Sequence, residues 1–369
     1  MHGEARGRGC SWWGMVLAVL WLLISDAAHA QVDAGGLLRD IQGTPGLPKL
    51  DDAETGSELP LPKREISDVP ELRLDVAGFE IAGVSDDEAA ALRAKLASFT
   101  GKDRSFQDLL DAAGVVKNHF NAQGYLLAQA YIPEQKISDG IVRIVVLLGR
   151  LGKIELNYNE QTPVSRARIQ GYLDRLQAGS VLQTSDMERV LFLINDLHGV
   201  SARSTVRPGS EPGTADLVLD VEPDQRLSGQ VQIDDMGSRY TGTNRITGSL
   251  VFGSPLGLGD SLSLRALFSQ DGGTGYGSAS YVVPVGSDGL RLGASYSYLG
   301  YTLLEKQGIP SGNGLARDMM AFALYPVVRS RNFNVFVQAG YDYQKFIDNP
   351  DAGLSIHRTS RSILLTLSG

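Results

Sequence analysis

The sequence predicts an α+β chain in two parts: two consecutive α+β repeats, then a transmembrane antiparallel β-barrel of which only about half is present. Three observations carry this. The order strand, helix, helix, strand, strand occurs twice between residues 71 and 226. Helical periodicity disappears after Arg226, and strands of about ten residues with period-two alternation run on to Gly369. Every second connection in that half is tight and carries proline, while the connections between them are polar and glycine-rich.

Arg6 and Arg8 precede an apolar run over 12–24, and Ala28-His29-Ala30 supplies the small residues that a signal peptidase reads. Residues 1–30 are therefore expected to be a secretory signal peptide, with Gln31 as mature start. The run is shorter than the ~20 residues a membrane-spanning helix needs, and no later segment approaches that length. Residues 31–70 open with an amphipathic stretch over 36–41. Leu37, Leu38 and Ile41 form its apolar stripe, and Arg39 and Asp40 its polar face. A linker follows through Pro45, Pro48, Pro60, Pro62 and Pro70, with acidic Asp51, Asp52 and Glu54. Composition alone reads this stretch as a frayed terminus, because isolated helices below about 12–15 residues are marginal.

The first repeat occupies 71–150. A strand is expected over 72–81, then a helix over 86–99 capped by Ser85 with Glu88 three residues on. A second helix over 106–120 spaces Leu109, Leu110, Ala113, Val116 and Phe120 on one face, and Gly124 ends it. Strands over 126–132 and 141–148 close the unit, separated by Pro133 and the turn Ser138-Asp139-Gly140. The second repeat, 151–226, starts with the alternating strand at 153–158. Helices follow around Ile169 to Leu176 and Met187 to Leu197, the latter opened by Thr184 as cap, and then strands over 200–206 and 215–221.

In 227–369 the alternation is regular. Leu262, Leu264, Ala266 and Phe268 oppose Ser261, Ser263, Arg265 and Ser269; Leu292, Ala294, Tyr296 and Tyr298 oppose Arg291, Gly293, Ser295 and Ser297. The same pattern suits a soluble sheet with one wet face. The connections separate the two readings. Those around Ser254-Pro255, Pro284 to Asp288 and Pro326 to Ser330 are short, whereas 300–314 and 347–355 read as long loops. Tyr240, Tyr281, Tyr298, Tyr301, Tyr325 and Tyr343 at strand ends suit an aromatic girdle.

Other chemistry finds little in the residues. The one cysteine, Cys10, lies in the signal segment, so the mature chain has neither disulfide nor thiolate site. The five histidines have no partner at metal-ligand spacing, and Asp234-Asp235 reads as a solvated loop. No nucleophile elbow or P-loop occurs, and Gly273-Thr274-Gly275-Tyr276-Gly277 sits in a hairpin rather than between strand and helix. A net charge of −8 argues against nucleic acid as a partner. The reading is a non-enzyme with no metal and no cofactor.

Asp235-Met236-Gly237-Ser238-Arg239-Tyr240-Thr241-Gly242 and Phe252-Gly253-Ser254-Pro255-Leu256-Gly257-Leu258-Gly259-Asp260 are similar to the first barrel hairpin of the two-partner secretion transporters (TpsB), the haemolysin secretion/activation proteins of Gram-negative outer membranes. Gly124-Tyr125-Leu126, Tyr131-Ile132-Pro133 and Gly140 to Ile144 resemble the closing strands of that family's first POTRA domain. The resemblance makes the two repeats POTRA 1 and POTRA 2, periplasmic, with the barrel in the outer membrane. About sixteen strands close the family's barrel, whereas seven or eight are read here. The family's Val-Arg-Gly-Tyr loop has no counterpart, so a fragment of a longer reading frame is expected.

The resemblance implies export of an unfolded TpsA-type exoprotein without nucleotide hydrolysis. The client, a haemolysin, adhesin or toxin, would be caught by strand addition at POTRA edges. Outer-membrane lipid and, during biogenesis, the barrel-assembly machinery are the other implied partners. Candidate client-binding residues are Tyr125, Leu127 and Tyr131 in the first unit and Val200, Ala202 and Ser204 in the second; Tyr125 and Tyr131 suit packing of their own core equally well. By the same resemblance Leu37, Leu38, Arg39 and Ile41 form a plug helix. Arg265, Arg291 and Asp342 are expected to line the pore, the two arginines either tuning its field or pairing with carboxylates on absent strands. Two alternatives stand beside export: an outer-membrane protein assembly factor of the same superfamily, and a soluble periplasmic binding module.

Overall fold

The computed structural model describes residues 33–42, 73–211, 213–304, 311–351 and 353–369. The signal peptide expected over 1–30 and the proline-rich linker lie outside the described residues.

A nine-residue helix, α1 (Ala34–Gln42), stands apart from the two repeats. The strand expected over 72–81 is two strands, β1 (Arg73–Val76) and β2 (Gly78–Ala82), in different sheets. Between them the Ala77 amide donates to the Gly140 carbonyl at 2.8 Å, which turns the chain from one sheet to the other. α2 (Asp86–Lys95) is followed by a short 3-10 turn and by β3 (Gly101–Ser105), which pairs with β1 and whose polar Gly-Lys-Asp-Arg-Ser carries no alternation to reveal it. α3 (Phe106–Ala122) completes the helical layer. Both helices open with a capping box, Ser85 with Glu88 and Ser105 with Asp108, each satisfying two amides that a helix start leaves open. Beneath them lies a sheet in the order β2, β5 (Ile141–Leu147), β4 (Gln129–Tyr131), with β2 parallel and β4 antiparallel to β5. β4 is shorter than the strand expected over 126–132. Leu92, Leu109, Val116, Phe120, Val142 and Ile144 form the core.

The second unit repeats the three-stranded sheet without a counterpart of the β1–β3 pair. β6 (Arg150–Tyr158), α4 (Arg166–Leu173), α5 (Thr184–Asn195), β7 (Val200–Pro208) and β8 (Thr214–Pro223) give the order β6, β8, β7, again with the first strand parallel to the last. Thr184 is the first residue of α5 rather than its cap, which is Gln183. Its hydroxyl donates to the Gly124 carbonyl at 3.1 Å, tying α5 to the end of α3. Leu126 and Leu127 pack on the second unit's core, and Tyr125 forms a β-bridge with Gln183.

The remainder is one antiparallel meander of eight strands: β9 (Leu227–Asp234), β10 (Arg245–Gly253), β11 (Ser261–Ser269), β12 (Thr274–Val285), β13 (Leu290–Thr302), β14 (Gly312–Arg329), β15 (Asn334–Pro350) and β16 (Ile356–Ser368). β9 and β16 are its edges. The alternation holds: Leu264, Tyr296, Tyr298, Met319 and Tyr341 are exposed on one face, while Ser297, Leu299, Ala316 and Asp318 are buried on the other, the face covered by α1. β14 and β15, of 18 and 17 residues, extend into the stretches read as long loops. Tyr301 is no girdle residue. Its odd parity with Leu299 turns it inward, where it is buried beneath α1. No helix among the described residues is long and apolar enough to cross a membrane.

Candidate functional site

The stripe Ala34, Leu38 and Ile41 is spaced i, i+4, i+7 and is buried against Leu267, Tyr276, Leu299, Tyr301 and Ala316 of β11 to β14. Burying Leu38 and Ile41 is worth roughly 1.5–3 kcal/mol each. The helix is too short to persist alone, and both of its ends are fixed by side chains of the sheet. At the start, the Asp33 carboxylate accepts from the Gly36 amide at 2.7 Å, and Arg358 bridges Asp33 at 2.7 Å and Asp348 at 2.8 Å. Asp348 also accepts from the Ala34 amide at 3.0 Å and from the Tyr301 hydroxyl at 2.7 Å. At the other end, Arg265 donates to the Ile41 carbonyl at 3.1 Å, where the helix dipole is negative. The Gln42 amide reaches Ser297 and Asp318, both at 2.9 Å.

Of the expected helix residues, Leu38 and Ile41 are buried, Leu37 lies half-buried on the same cluster, and Arg39 is exposed. Arg265 and Asp342 face inward, Asp342 half-buried. Leu267, Leu299, Ala316 and Phe346, which build the cradle, were not singled out in the sequence. The signal was there: Ala266-Leu267-Phe268 and Tyr298-Leu299 put apolar side chains on both faces at one level, which breaks the alternation.

Arg291 lies at the opposite end of the sheet and does not line the inward face beside α1. It pairs with Asp196, just beyond α5, at 2.8 Å, and Arg329 takes the other carboxylate oxygen at 2.9 Å while stacking over Phe192. The physical reason is the docking of the second unit onto the sheet's short turns. Arg189 donates to the carbonyls of Asp288 at 3.2 Å and Pro326 at 3.0 Å, Arg168 to that of Pro284, and Arg175 pairs with Asp288. Ser254 donates to the His198 carbonyl at 2.6 Å, and Asp260 ties the turn by accepting from Leu256, Leu258 and Tyr281. Two glycines make the approach feasible. A Cβ on Gly259 (φ 75°) would sit 2.7 Å from Leu197, and one on Gly289 (φ 91°) 2.5 Å from Leu193. His198 is open to solvent on one side, yet desolvation at the junction, and then Arg291, hold its imidazole below its ordinary value, with Asp196 and Asp260 pulling the other way.

The strand-edge residues divide. Tyr131, on edge strand β4, is 45% exposed; Ile141 and Leu147 on the adjoining face of β5 are 48% and 44% exposed. Tyr125 packs edge-on against Phe120 at 5.8 Å, and Leu127 is held between the two units. Val200 and Ala202 face the core, because period two turns them beneath α5; Ser204 shares their parity and is half-buried. The Ala202 amide and carbonyl, on the free side of β7, are both taken by the Asn195 side chain at 2.7 and 2.9 Å. Arg203, Thr205 and Arg207 are what β7 shows to solvent. Asp234 pairs with Arg245 at 2.7 Å, and no cluster of three metal-ligating side chains occurs among the described residues.

Comparison with known proteins agrees with this architecture. Residues 74–149 match the model of the POTRA domain, ShlB-type, and residues 213–345 that of the haemolysin secretion/activation protein ShlB/FhaC/HecB. The chain is 27% identical over 270 residues to the Heme/hemopexin transporter protein HuxB of Haemophilus influenzae (strain 86-028NP), covering 73% of this chain and 47% of that protein. It is 26% identical over 227 residues to the Outer membrane transporter CdiB of Escherichia coli O6:K15:H31, covering 62% and 37%. Among solved structures, CdiB from Escherichia coli superposes with a TM-score of 0.61 at 21% identity, over 90% of this chain and 61% of that one. The chain spans about half the length of the curated relatives it matches.

Proposed function

From the premise that the chain belongs to the haemolysin secretion/activation family ShlB/FhaC/HecB, we propose that it is the POTRA and barrel part of an outer-membrane transporter of two-partner secretion. Its POTRA units lie in the periplasm and its barrel in the outer membrane. The client is an unfolded TpsA-type exoprotein, captured at the POTRA units and passed along the polar inward face of the barrel. Folding of the client outside makes passage irreversible, so no nucleotide is consumed. Lipid surrounds the barrel, and the barrel-assembly machinery inserts it. The chain has no enzymatic step, cofactor or nucleic acid partner in this reading.

The observation that carries it is α1 seated on the inward face with both ends tied to barrel strands. A helix held there blocks a pore at rest, and the contacts that hold it are polar enough to exchange with a passing chain. Replacing Arg358 by Gln removes the cation shared by Asp33 and Asp348. In the intact transporter reconstituted in planar bilayers, mean conductance is expected to rise several-fold, since ion pairs as exposed as those of Arg358 are worth up to about 1 kcal/mol each. Unchanged conductance would remove the helix from gating. Export is measured separately, as client in the medium.

A further inference from the structure

The outward positions of the eight barrel strands are nearly free of charge. Read by register, they are Leu, Val, Ile, Ala, Gly, Met, Phe and Tyr, with occasional Thr, Asn and His near the strand ends. Among the described residues three charged side chains break this face: Arg317, Lys345 and Arg361. All three are cations, and they stand on three adjacent strands. Arg317 is the direct cross-strand neighbour of Lys345, and Arg361 that of Tyr343, one position along on the same face. Arg361 lies over the Tyr343 ring at 6.0 Å. Tyr298, beside Arg317, completes the rim. No carboxylate shares the outward face of β14, β15 or β16.

Like charges directly opposite in a sheet destabilise it, so this arrangement calls for an anion. Its level in the fold says which kind. The second unit docks at the other end of these strands, at Pro284, Asp288 and Pro326. Between that end and the cations lies the apolar band, Tyr325, Ala323, Ala321 and Met319 on β14 and Val337, Ala339 and Tyr341 on β15. The cations therefore sit at the headgroup level of the leaflet far from the periplasm. A cation on a lipid-facing position costs least at that depth. Directly below them the outward face forms a shallow groove between Tyr281, Tyr296 and Tyr341, floored by Ala279, Ala294 and Ala321. Small side chains there leave room for an acyl chain.

We propose that Arg317, Lys345 and Arg361 bind the phosphate groups of an anionic glycolipid of the outer leaflet, with an acyl chain in the alanine-floored groove. Arginine pairs with phosphate through two parallel hydrogen bonds, and lysine supplies a point charge. The proposal rests on the outer-membrane reading of the barrel.

The test uses the intact transporter taken from outer membranes in mild detergent. The wild type is first shown to be folded and membrane-derived by heat-modifiable migration; failure at that step overturns the outer-membrane reading itself. Bound lipid is then read by native mass spectrometry after addition of bisphosphorylated lipid A, of the same lipid with its phosphates removed, and of inorganic phosphate. The expected result is retention of the bisphosphorylated lipid, at least tenfold less of the dephosphorylated form, and no displacement by millimolar inorganic phosphate. The triple variant R317Q/K345Q/R361Q, still heat-modifiable, should lose at least tenfold in retained lipid. Equal retention by wild type and variant, or equal binding of both lipid forms, would overturn the proposal. Displacement by inorganic phosphate would reduce the site to one for a free anion.

Discussion

The two α+β units share one order of their three-stranded sheets and differ in what they leave uncovered. In the first, the outer face of the sheet shows Tyr131, Ile141 and Leu147 to solvent. In the second, Asn195 occupies the free edge of β7 at Ala202, and Asp196 with Arg168, Arg175 and Arg189 fastens the helical layer to the barrel turns. The second unit's helices are edged with charge that brackets them to the strand turns, whereas the first unit's sheet leaves these apolar side chains uncovered around the Arg143–Glu80 ion pair.

The most damaging way to break this contrast is at the bracket. Asp196→Ala leaves Arg291 and Arg329 without their shared carboxylate in a site where Arg329 is only 6% exposed. Stranding a buried charge costs about 3–5 kcal/mol. The expected outcome is a second unit that comes loose, read as protease cleavage between 223 and 227 and a weaker heat-modifiable band. Resistance equal to wild type would show that the arginine contacts to turn carbonyls suffice.

If the first unit captures the client as proposed, changing the uncovered face of its sheet should lower capture while the fold survives. Substituting Ser for Tyr131, Ile141 and Leu147, each about half exposed, removes the apolar area of this face together with part of their own packing. Interface anchors are worth upward of ~1 kcal/mol each, so client cross-linking to the first unit should fall about tenfold or more with barrel levels unchanged. Undiminished cross-linking would place capture elsewhere. Asn195→Ala sharpens the same contrast from the other side. It frees the Ala202 amide and carbonyl, costs about 1–3 kcal/mol through the groups left unpaired, and opens the β7 edge to strand addition. Cross-links should then appear on the second unit, and none appearing would mean that side-chain blocking is not what keeps that edge closed.

The smallest effects are acid responses, and they differ between the units. His198 is held below its ordinary value of 6.5, so the folded junction favours the neutral ring. That contribution is fully present above pH 6.5 and is lost as pH falls from there through the lowered folded value. Asp108 is held below its ordinary 3.8, first by the Ser105 amide and then by the Ser105 hydroxyl. Its contribution is present above 3.8 and lost only as pH falls below that. Limited proteolysis at stepped pH should therefore loosen the second unit's junction first and the α3 cap of the first unit later. Simultaneous onset would contradict this order.

Much of the fold was readable in the residues. Period-two alternation located strands β10 to β15, the capping box at Ser85 located α2, the helical spacing of Leu109 to Phe120 located α3, and the Pro and Gly pattern marked the short turns. What escaped shares a cause. β3 has no hydrophobic period, Thr184 hydrogen-bonds across units instead of capping, and Tyr301 faces inward because strand parity, not residue type, sets the side. The site was read less well than the fold. Leu38, Ile41 and Arg265 lie at α1, but Val200 and Ala202 belong to a core and Arg291 to a junction, each because a neighbouring unit covers it.

The sequence by itself determined the helices, most of the strands, the alternation and the amphipathic stripe of α1, since these follow from local periodicity and from backbone groups that neighbouring residues must satisfy. Only the tertiary structure decided what those elements meet. Asp33 and Arg358 stand 325 residues apart and Asp196 and Arg329 133 apart, yet each pair forms a charge-assisted contact under 3 Å. No local pattern encodes such a pair, because each carboxylate would satisfy itself equally well with water until the fold brings its arginine alongside.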